Sequence, residues 1–227
     1  GCWTPVERFS ADVQGDAAWY ALEAPGGDYS KFAIMEGNRH VCDLEWELVG
    51  RHNAQNALAA ILSARHAGVS VQAAAAALKE FKGVRRRLET RGVVRGVTVY
   101  DDFAHHPTAI ETTIDGLRRR IGKARMIAVL EPRSNTMKLG THRDALAKSL
   151  LNADEIWMYQ GPSVQWDVAG AVAPLGDRAH VETDIDRLVE RLANTAQAGD
   201  HLLIMSNGGF GGIHGKLLAR LGEGNAH

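Results

Sequence analysis

Acidic and imidazole side chains cluster in residues 100–108, whose sequence is Tyr-Asp-Asp-Phe-Ala-His-His-Pro-Thr. The pattern predicts a strand before this segment and a helix after it, with Pro107 near the first helical turn. The two aspartates and two histidines could form a metal site, but no clear further ligand is supplied. An aspartate that accepts hydrogen bonds from two vicinal ribose hydroxyls is the chemically simpler interpretation.

Carboxamides cluster in residues 50–57, which read Gly-Arg-His-Asn-Ala-Gln-Asn-Ala. Asn53 stands where a helix is predicted to begin, so it is a good N-cap, and a capped helix alone would explain it. The functional alternative is that Asn53 and Asn56 pair with the donor and acceptor edge of a purine.

Arginines are concentrated in two triplets, residues 85–87 and 118–120. The first triplet is either a solvated charge run or a phosphate-binding segment, for which guanidinium geometry is suited. The second lies at the predicted end of a helix, where cations complement the helix dipole, and this explains it without a ligand.

Two further polar segments directly follow predicted strands. Residues 131–136 read Glu-Pro-Arg-Ser-Asn-Thr, and residues 205–212 read Met-Ser-Asn-Gly-Gly-Phe-Gly-Gly. The backbone amides of the second segment could bind an anion, although a plain glycine-rich turn is the alternative. It is not a Walker loop, because Phe210 stands where the first glycine belongs and Leu217 where Ser or Thr belongs.

The elements that must position these segments fall into two parts, which we expect to be domains of residues 1–81 and 82–227 joined near residues 82–84. In the first part an antiparallel meander is predicted, followed by helices over residues 54–67 and 71–81, the second capped by Ser70.

In the second part a hairpin around Arg95 and Gly96 precedes alternating strands and helices. The predicted strands are 126–131, 155–160, 179–182 and 201–205, and the predicted helices are 141–152, 164–172, 184–197 and 212–221. This alternation predicts an α/β fold with a mostly parallel sheet and helices on both faces, and ligands beyond the carboxyl ends of the strands.

Composition excludes several classes of function. The chain has 227 residues, 45% of them hydrophobic, and a net charge of −1, which argues against binding driven by nucleic-acid or membrane electrostatics. Neither a signal peptide nor a long apolar run is present, and the two cysteines match no zinc or redox spacing, so a cytoplasmic location is expected. The start, Gly-Cys-Trp-Thr-Pro, is interpreted as an expression scar or the cut end of a longer protein.

In this order the segments resemble those of the Mur ligases, ATP-dependent amide-forming enzymes of peptidoglycan synthesis. Residues 50–57 are similar to the Gly-x-His-Asn-x-x-Asn motif of their central domain, and residues 85–89 to the arginine-rich segment that enters their C-terminal domain. Residues 101–108 closely resemble the Asp-Asp-Tyr-Gly-His-His-Pro-Thr of the branch that adds L-alanine to UDP-N-acetylmuramate. The resemblance implies a Rossmann-like C-terminal domain, preceded by the end of the central ATPase domain.

Residues 131–136 and 205–212 depart from that branch and resemble the murein peptide ligase branch. Members of that branch join UDP-N-acetylmuramate to the recycled tripeptide L-alanyl-γ-D-glutamyl-meso-diaminopimelate. The resemblance therefore implies ATP, Mg²⁺, UDP-N-acetylmuramate and the murein tripeptide as ligands in cell-wall recycling, with no nucleic-acid or membrane partner.

Carried over position by position, the resemblance implies two groups of site residues. The ATP site would contain Asn53, Asn56, Arg87, Asp102 and Phe103, and the peptide site Arg133, Ser134, Ser206, Asn207 and Phe210. Neither a catalytic residue nor a metal ligand is assigned, because an acyl phosphate attacked by an amine needs no enzyme nucleophile and depends mainly on positioning and charge neutralisation.

The resemblance also implies that the Gly-Lys-Thr phosphate loop, the Mg²⁺ carboxylate and a modified lysine lie upstream of this sequence. We therefore expect these 227 residues to be an inactive fragment of a ligase. Two alternatives stay open. One is a fragment of a UDP-N-acetylmuramate–L-alanine ligase, and the other is a non-catalytic Rossmann-like module that binds a nucleotide or a peptide.

Overall fold

The computed structural model describes residues 3–12, 17–25, 27–134, 137, 139 and 143–223. The chain divides into two compact units, Gly1–Gly83 and Val84–His227. That the first unit belongs to an ATP-binding domain stays a prediction. No helix within the described residues is long and apolar enough to cross a membrane.

The first unit is a four-stranded sheet covered by two helices. Its elements are β1 (Phe9–Ser10), β2 (Trp19–Glu23), β3 (Lys31–Glu36), β4 (Arg39–Glu45), α1 (Arg51–His66) and α2 (Val71–Lys79). Strands β2, β3 and β4 pair antiparallel, which confirms the predicted meander, and the short β1 adds a parallel pair that was not predicted. Alternate strand residues such as Phe32 and Ile34 are buried and form one core with Leu58 and Ile61 of α1.

Helix α1 begins earlier than its sequence pattern indicates. Gly50, with φ of 93°, precedes its first residue, and no side chain caps the helix. The side-chain amide of Asn53 instead donates to the carbonyl of Val49 at 2.7 Å, so the prediction that Asn53 is the N-cap is wrong. Glycine adopts this left-handed conformation without the steric penalty that other residues meet, so it can supply the turn into the helix. The predicted Ser70 cap of α2 is confirmed, since its hydroxyl accepts from the amide of Ala73 at 3.2 Å.

The second unit is a six-stranded sheet with helices on both faces. Its elements are β5 (Glu89–Val94), β6 (Val97–Asp102), α3 (Pro107–Ile121), β7 (Met126–Leu130), α4 (Arg143–Ser149), β8 (Glu155–Tyr159), α5 (Val168–Val172), a 3₁₀ turn (Ala173–Arg178), β9 (Ala179–Glu182), α6 (Ile185–Thr195), β10 (His201–Met205), a 3₁₀ turn (Phe210–Gly212) and α7 (Ile213–Glu223). The strand order is β5-β6-β10-β7-β8-β9. Only the hairpin pair β5–β6 is antiparallel among these pairs of described residues, which confirms the predicted α/β class.

Two apolar layers hold this sheet. One face packs against α3, α4 and α5 through residues such as Ile114 and Leu146, and the other packs against α6 and α7 through residues such as Leu192 and Leu217. Strand β7 is buried along its whole length, as expected for a parallel strand covered on both faces. The layers leave the carboxyl ends of the strands as the edge where polar segments emerge.

Candidate functional site

Three of the segments singled out in the sequence meet at the carboxyl edge of the second sheet. Strand β10 lies between β6 and β7, with Met205 opposite both Asp102 and Leu130. The residues that follow these strands continue the ladder, because the amide of Ser206 donates to the carbonyl of Asp102 at 3.0 Å and that of Glu131 to Met205 at 3.0 Å. The register of parallel strands therefore brings together segments separated by up to about a hundred residues in the chain.

Asp102 is buried, with only 2% of its surface exposed. Its carboxylate accepts from the amides of Leu88 and Ala104, both at 2.8 Å, and from the hydroxyl of Thr113 at 3.2 Å. Burial raises the pKa of Asp102, and these donors together with the charge of Arg87 offset that only in part. Asp102 thus holds the two segments that flank the sheet edge, and its contact with a ribose stays a prediction.

Phe103 lies among cationic side chains. The guanidinium carbon of Arg87 is 5.7 Å from the centre of its ring, and that of Arg86 is 5.2 Å away. His105 meets the same ring edge-on at 5.2 Å. The structure therefore brings together three of the five residues predicted to bind ATP, namely Arg87, Asp102 and Phe103, and it leaves the Arg87 side chain exposed to solvent.

Three residues that were not predicted to belong to the site, Asp101, Arg86 and His214, lie next to it. The Asp101 carboxylate is 3.3 Å from Nε of Arg86 and 3.4 Å from Nε2 of His214. Burial, the largest influence, raises the pKa of Asp101, but the nearby His214 and Arg86 together outweigh it, so this pKa lies below its ordinary value. Arg86 is one of three consecutive arginines and His214 follows the glycines, but nothing in their spacing indicates that they share Asp101.

Ser206 is buried and links the ends of two strands. Its hydroxyl donates to the Glu131 carboxylate at 2.5 Å and accepts from the amide of Gly208 at 2.9 Å. Beside it, the side-chain oxygen of Asn207 is buried and has no hydrogen-bond partner among the described residues. Burial raises the pKa of Tyr159, and the charges of Glu131 and Asp184 raise it further. Glu131 was not predicted to belong to the site, although it begins the segment that was singled out.

Arg133 lies across the glycine-rich turn, which we define as residues 206–212. A Cβ placed on Gly208 would lie 2.3 Å from Cδ of Arg133 and 2.5 Å from Cζ, so the guanidinium stem rests directly on this glycine. The hydroxyl of Ser134 accepts from the amide of Met137 at 3.3 Å. Arg133, Ser206 and Asn207, all predicted to bind the peptide, are therefore brought together.

Phe210 differs from the other residues predicted to bind the peptide. Its ring is fully buried in the core between the sheet and α6–α7, 5.5 Å from the ring of Tyr159. Its φ of 41° is left-handed, which a bulky residue adopts only when its surroundings hold it there. The packing assigns Phe210 to anchoring the turn, and its contact with a substrate stays a prediction.

Asn53 and Asn56 belong to the first unit. The two residues occupy the first turns of α1, where Asn53 is half-buried and Asn56 is exposed. Within the described residues, no group of three or more His, Cys, Asp or Glu side chains could hold a metal ion.

Comparison with known proteins identifies the family. Residues 86–208 match the family described as Mur ligase, glutamate ligase domain, and this range covers more than half of the chain. The chain belongs to the Mur ligase family. The match begins at Arg86 and ends at Gly208, within the glycine-rich turn.

Relatives from this family cover nearly all of the chain. A UDP-N-acetylmuramate–L-alanyl-γ-D-glutamyl-meso-2,6-diaminoheptandioate ligase of Escherichia coli is 48% identical over 98% of this chain and 48% of its own length. A UDP-N-acetylmuramate–L-alanine ligase of Roseiflexus castenholzii is 41% identical over 47% of this chain and 24% of its own length. A crystal structure of a murein peptide ligase from Psychrobacter arcticus is 39% identical and superposes with a TM-score of 0.72 over 100% of this chain and 48% of that one. The chain thus spans about half the length of the murein peptide relatives that it matches.

Proposed function

We propose that this chain is the C-terminal half of an ATP-dependent ligase that joins UDP-N-acetylmuramate to the tripeptide L-alanyl-γ-D-glutamyl-meso-diaminopimelate. The observation that carries the proposal is the 48% identity to the Escherichia coli ligase of that name over 98% of the chain. In this proposal residues 1–81 are the end of the central ATP-binding domain and residues 82–227 are the C-terminal domain. The proposed enzyme is cytoplasmic and acts in peptidoglycan recycling.

The nucleotide would lie against the segments that follow β6 and precede β5. Arg87 is exposed and offers a planar cation suited to a phosphate, and the neighbouring Phe103 offers an aromatic ring that can pack beside a base. Asp102 holds the backbone amides of Leu88 and Ala104, so it keeps both segments in place whether or not it also reaches the ribose. Asn53 and Asn56 are proposed to contact the adenine.

The peptide would lie against Arg133 and the glycine-rich turn. A tripeptide that ends in diaminopimelate carries several carboxylates and a distal ammonium group. Arg133 supplies an exposed guanidinium for a carboxylate, and the buried side-chain oxygen of Asn207, unpartnered among the described residues, suits a donor such as an ammonium or amide N–H. Ser134 would extend this side of the site, whereas Ser206 acts by holding Glu131 and Gly208.

The proposed reaction forms an acyl phosphate from the muramate carboxylate and ATP, and the peptide amine then displaces phosphate. Magnesium bound with the ATP phosphates would neutralise charge as phosphate is transferred. The residues of this chain contribute by binding and orienting the nucleotide and the peptide, so the amine is held near the activated carboxyl group.

An assay of the complete ligase tests the proposal. Release of ADP would be measured with UDP-N-acetylmuramate and either the tripeptide or free L-alanine, and we expect the tripeptide to be the preferred acceptor. A preference for L-alanine would favour the alanine-adding branch, and binding of nucleotide without ADP release would favour a non-catalytic module. The 227-residue chain alone is the matched control, and we expect it to release no ADP because its sequence contains no Gly-Lys-Thr phosphate loop.

A further inference from the structure

One buried carboxylate lies between two side chains that flank the glycine-rich turn. Asp101 is only 4% exposed and lies between Arg86 and His214. Arg86 reaches the first part of the turn, because its Nη2 donates to the carbonyls of Ser206 and of Gly208, the latter at 2.8 Å. His214 lies in the first turn of α7, two residues after Gly212, and its buried Nε2 faces the Asp101 carboxylate at 3.4 Å without a regular hydrogen bond among the described residues.

Arg86 is itself fixed from several directions. Its backbone amide donates to Glu89 at 2.8 Å, and its carbonyl accepts from the amide of Phe103 at 2.8 Å. These bonds hold a left-handed φ of 61°, which a non-glycine residue adopts uncommonly. The guanidinium therefore has a rigid base from which to hold the turn.

The turn needs such restraint because four of its seven residues are glycines. Ordering the backbone costs about 1–2 kcal/mol per residue, and glycine loses the most conformational freedom. A turn without this restraint would sample many conformations and would place Asn207 and the surface under Arg133 less accurately.

We propose that Arg86, Asp101 and His214, the Asp101 clamp, are positioning residues that preorganise the glycine-rich turn for the peptide substrate. Asp101 fixes Arg86 at the start of the turn and His214 at its end. Asp102 holds the nucleotide segments through Leu88 and Ala104, and Arg86 also contacts Phe103. His214, in contrast, meets Asp101 from the end of the turn, so loss of His214 is expected to affect the peptide far more than ATP. The effect on peptide binding rests on the proposed function, whereas the ordering of the turn does not.

The first experiment measures hydrogen exchange of the turn in the whole 227-residue chain. Asp101→Asn and His214→Ala are each expected to speed exchange of the amides in residues 206–212 about tenfold, the factor that corresponds to ~1.4 kcal/mol of local stability. His214→Gln keeps an N–H donor near the position of Nε2 and is expected to exchange like the wild type. Lys216→Ala, on the same helix but with a half-exposed side chain paired to Asp186, is the control.

The second experiment measures KM in the complete ligase. His214→Ala is expected to raise the tripeptide KM about tenfold with less than about a twofold change for ATP, and His214→Gln is expected to restore it. The proposed clamp would be refuted if amide exchange were unaltered in both Asp101→Asn and His214→Ala. It would also be refuted if His214→Ala weakened ATP and peptide binding equally, or if His214→Gln were as impaired as His214→Ala. Hydrogen exchange is measured without substrate. A wild-type enzyme that does not ligate the tripeptide would therefore refute the proposed function but not the ordering of the turn by the clamp.

Discussion

Replacing Gly208 by alanine should displace Arg133 while leaving the fold intact. The new Cβ would lie 2.3 Å from Cδ and 2.4 Å from Nε of Arg133, whereas non-bonded carbon atoms normally stay about 3.5–4.0 Å apart. The arginine must therefore move by more than about 1 Å. Because this side chain is exposed and flexible, the free energy of unfolding should change by less than about 0.5 kcal/mol.

Binding of the peptide should respond much more strongly. If Arg133 meets a peptide carboxylate, loss of that charged hydrogen bond corresponds to about 1.5–3 kcal/mol, so the tripeptide KM of the complete ligase should rise roughly 10- to 150-fold. The KM for ATP should change by less than about twofold, because Arg87 and Asp102 lie on other segments. Steady-state kinetics with each substrate varied in turn measures both effects.

Two comparisons separate this explanation from general damage to the turn. A Cβ at Gly209 meets no heavy atom of the described chain within 4 Å, so Gly209→Ala should behave like the wild type. The double variant Gly208→Ala/Arg133→Ala should be no worse than Arg133→Ala alone, because both changes remove the same contact. Wild-type peptide kinetics in Gly208→Ala, or full additivity in the double variant, would refute the reasoning.

Three other outcomes are expected. Arg87→Ala and Asp102→Ala should each raise the ATP KM about 10- to 150-fold in the complete ligase, and unchanged ATP kinetics in both would remove them from the nucleotide site. Gly211→Ala should lower the free energy of unfolding by at least about 1–2 kcal/mol in urea titrations, because the φ of +55° is left-handed and the new Cβ would lie 2.5 Å from Cδ1 of Ile185, and wild-type stability would contradict this. Asp101→Asn should destabilise the chain near neutral pH and progressively less as the pH falls below about 3.9, because a carboxyl pKa lowered on folding contributes stability above its unfolded value that is lost as pH falls through the folded value. The exposed Asp186→Asn is the control, and a difference independent of pH would argue against the lowered pKa.

Most of the second unit could be predicted from local pattern. The strands over residues 179–182 and 201–205 have the predicted bounds, and the hairpin forms around Arg95 and Gly96, whose φ angles of 52° and 77° are both left-handed. Hydrophobic periodicity and turn chemistry depend on near neighbours, so they are visible in the sequence. The start of α1 was missed because Gly50 precedes the first helical residue, while the Asn53 side chain donates to the Val49 carbonyl instead of capping the helix.

The sequence alone determined the alternation of strands and helices, the polar segments that follow the strands and the resemblance to the Mur ligases. Only the tertiary structure decided how those segments meet. The placement of β10 between β6 and β7 sets Ser206 beside Glu131, lays Arg133 on Gly208 and puts Asp101 between Arg86 and His214. The tertiary structure also places the Phe210 ring in the core. Some of these contacts join residues that lie more than a hundred positions apart in the chain. They depend on strand order and side-chain direction, which follow from the packing of the whole sheet rather than from any local pattern.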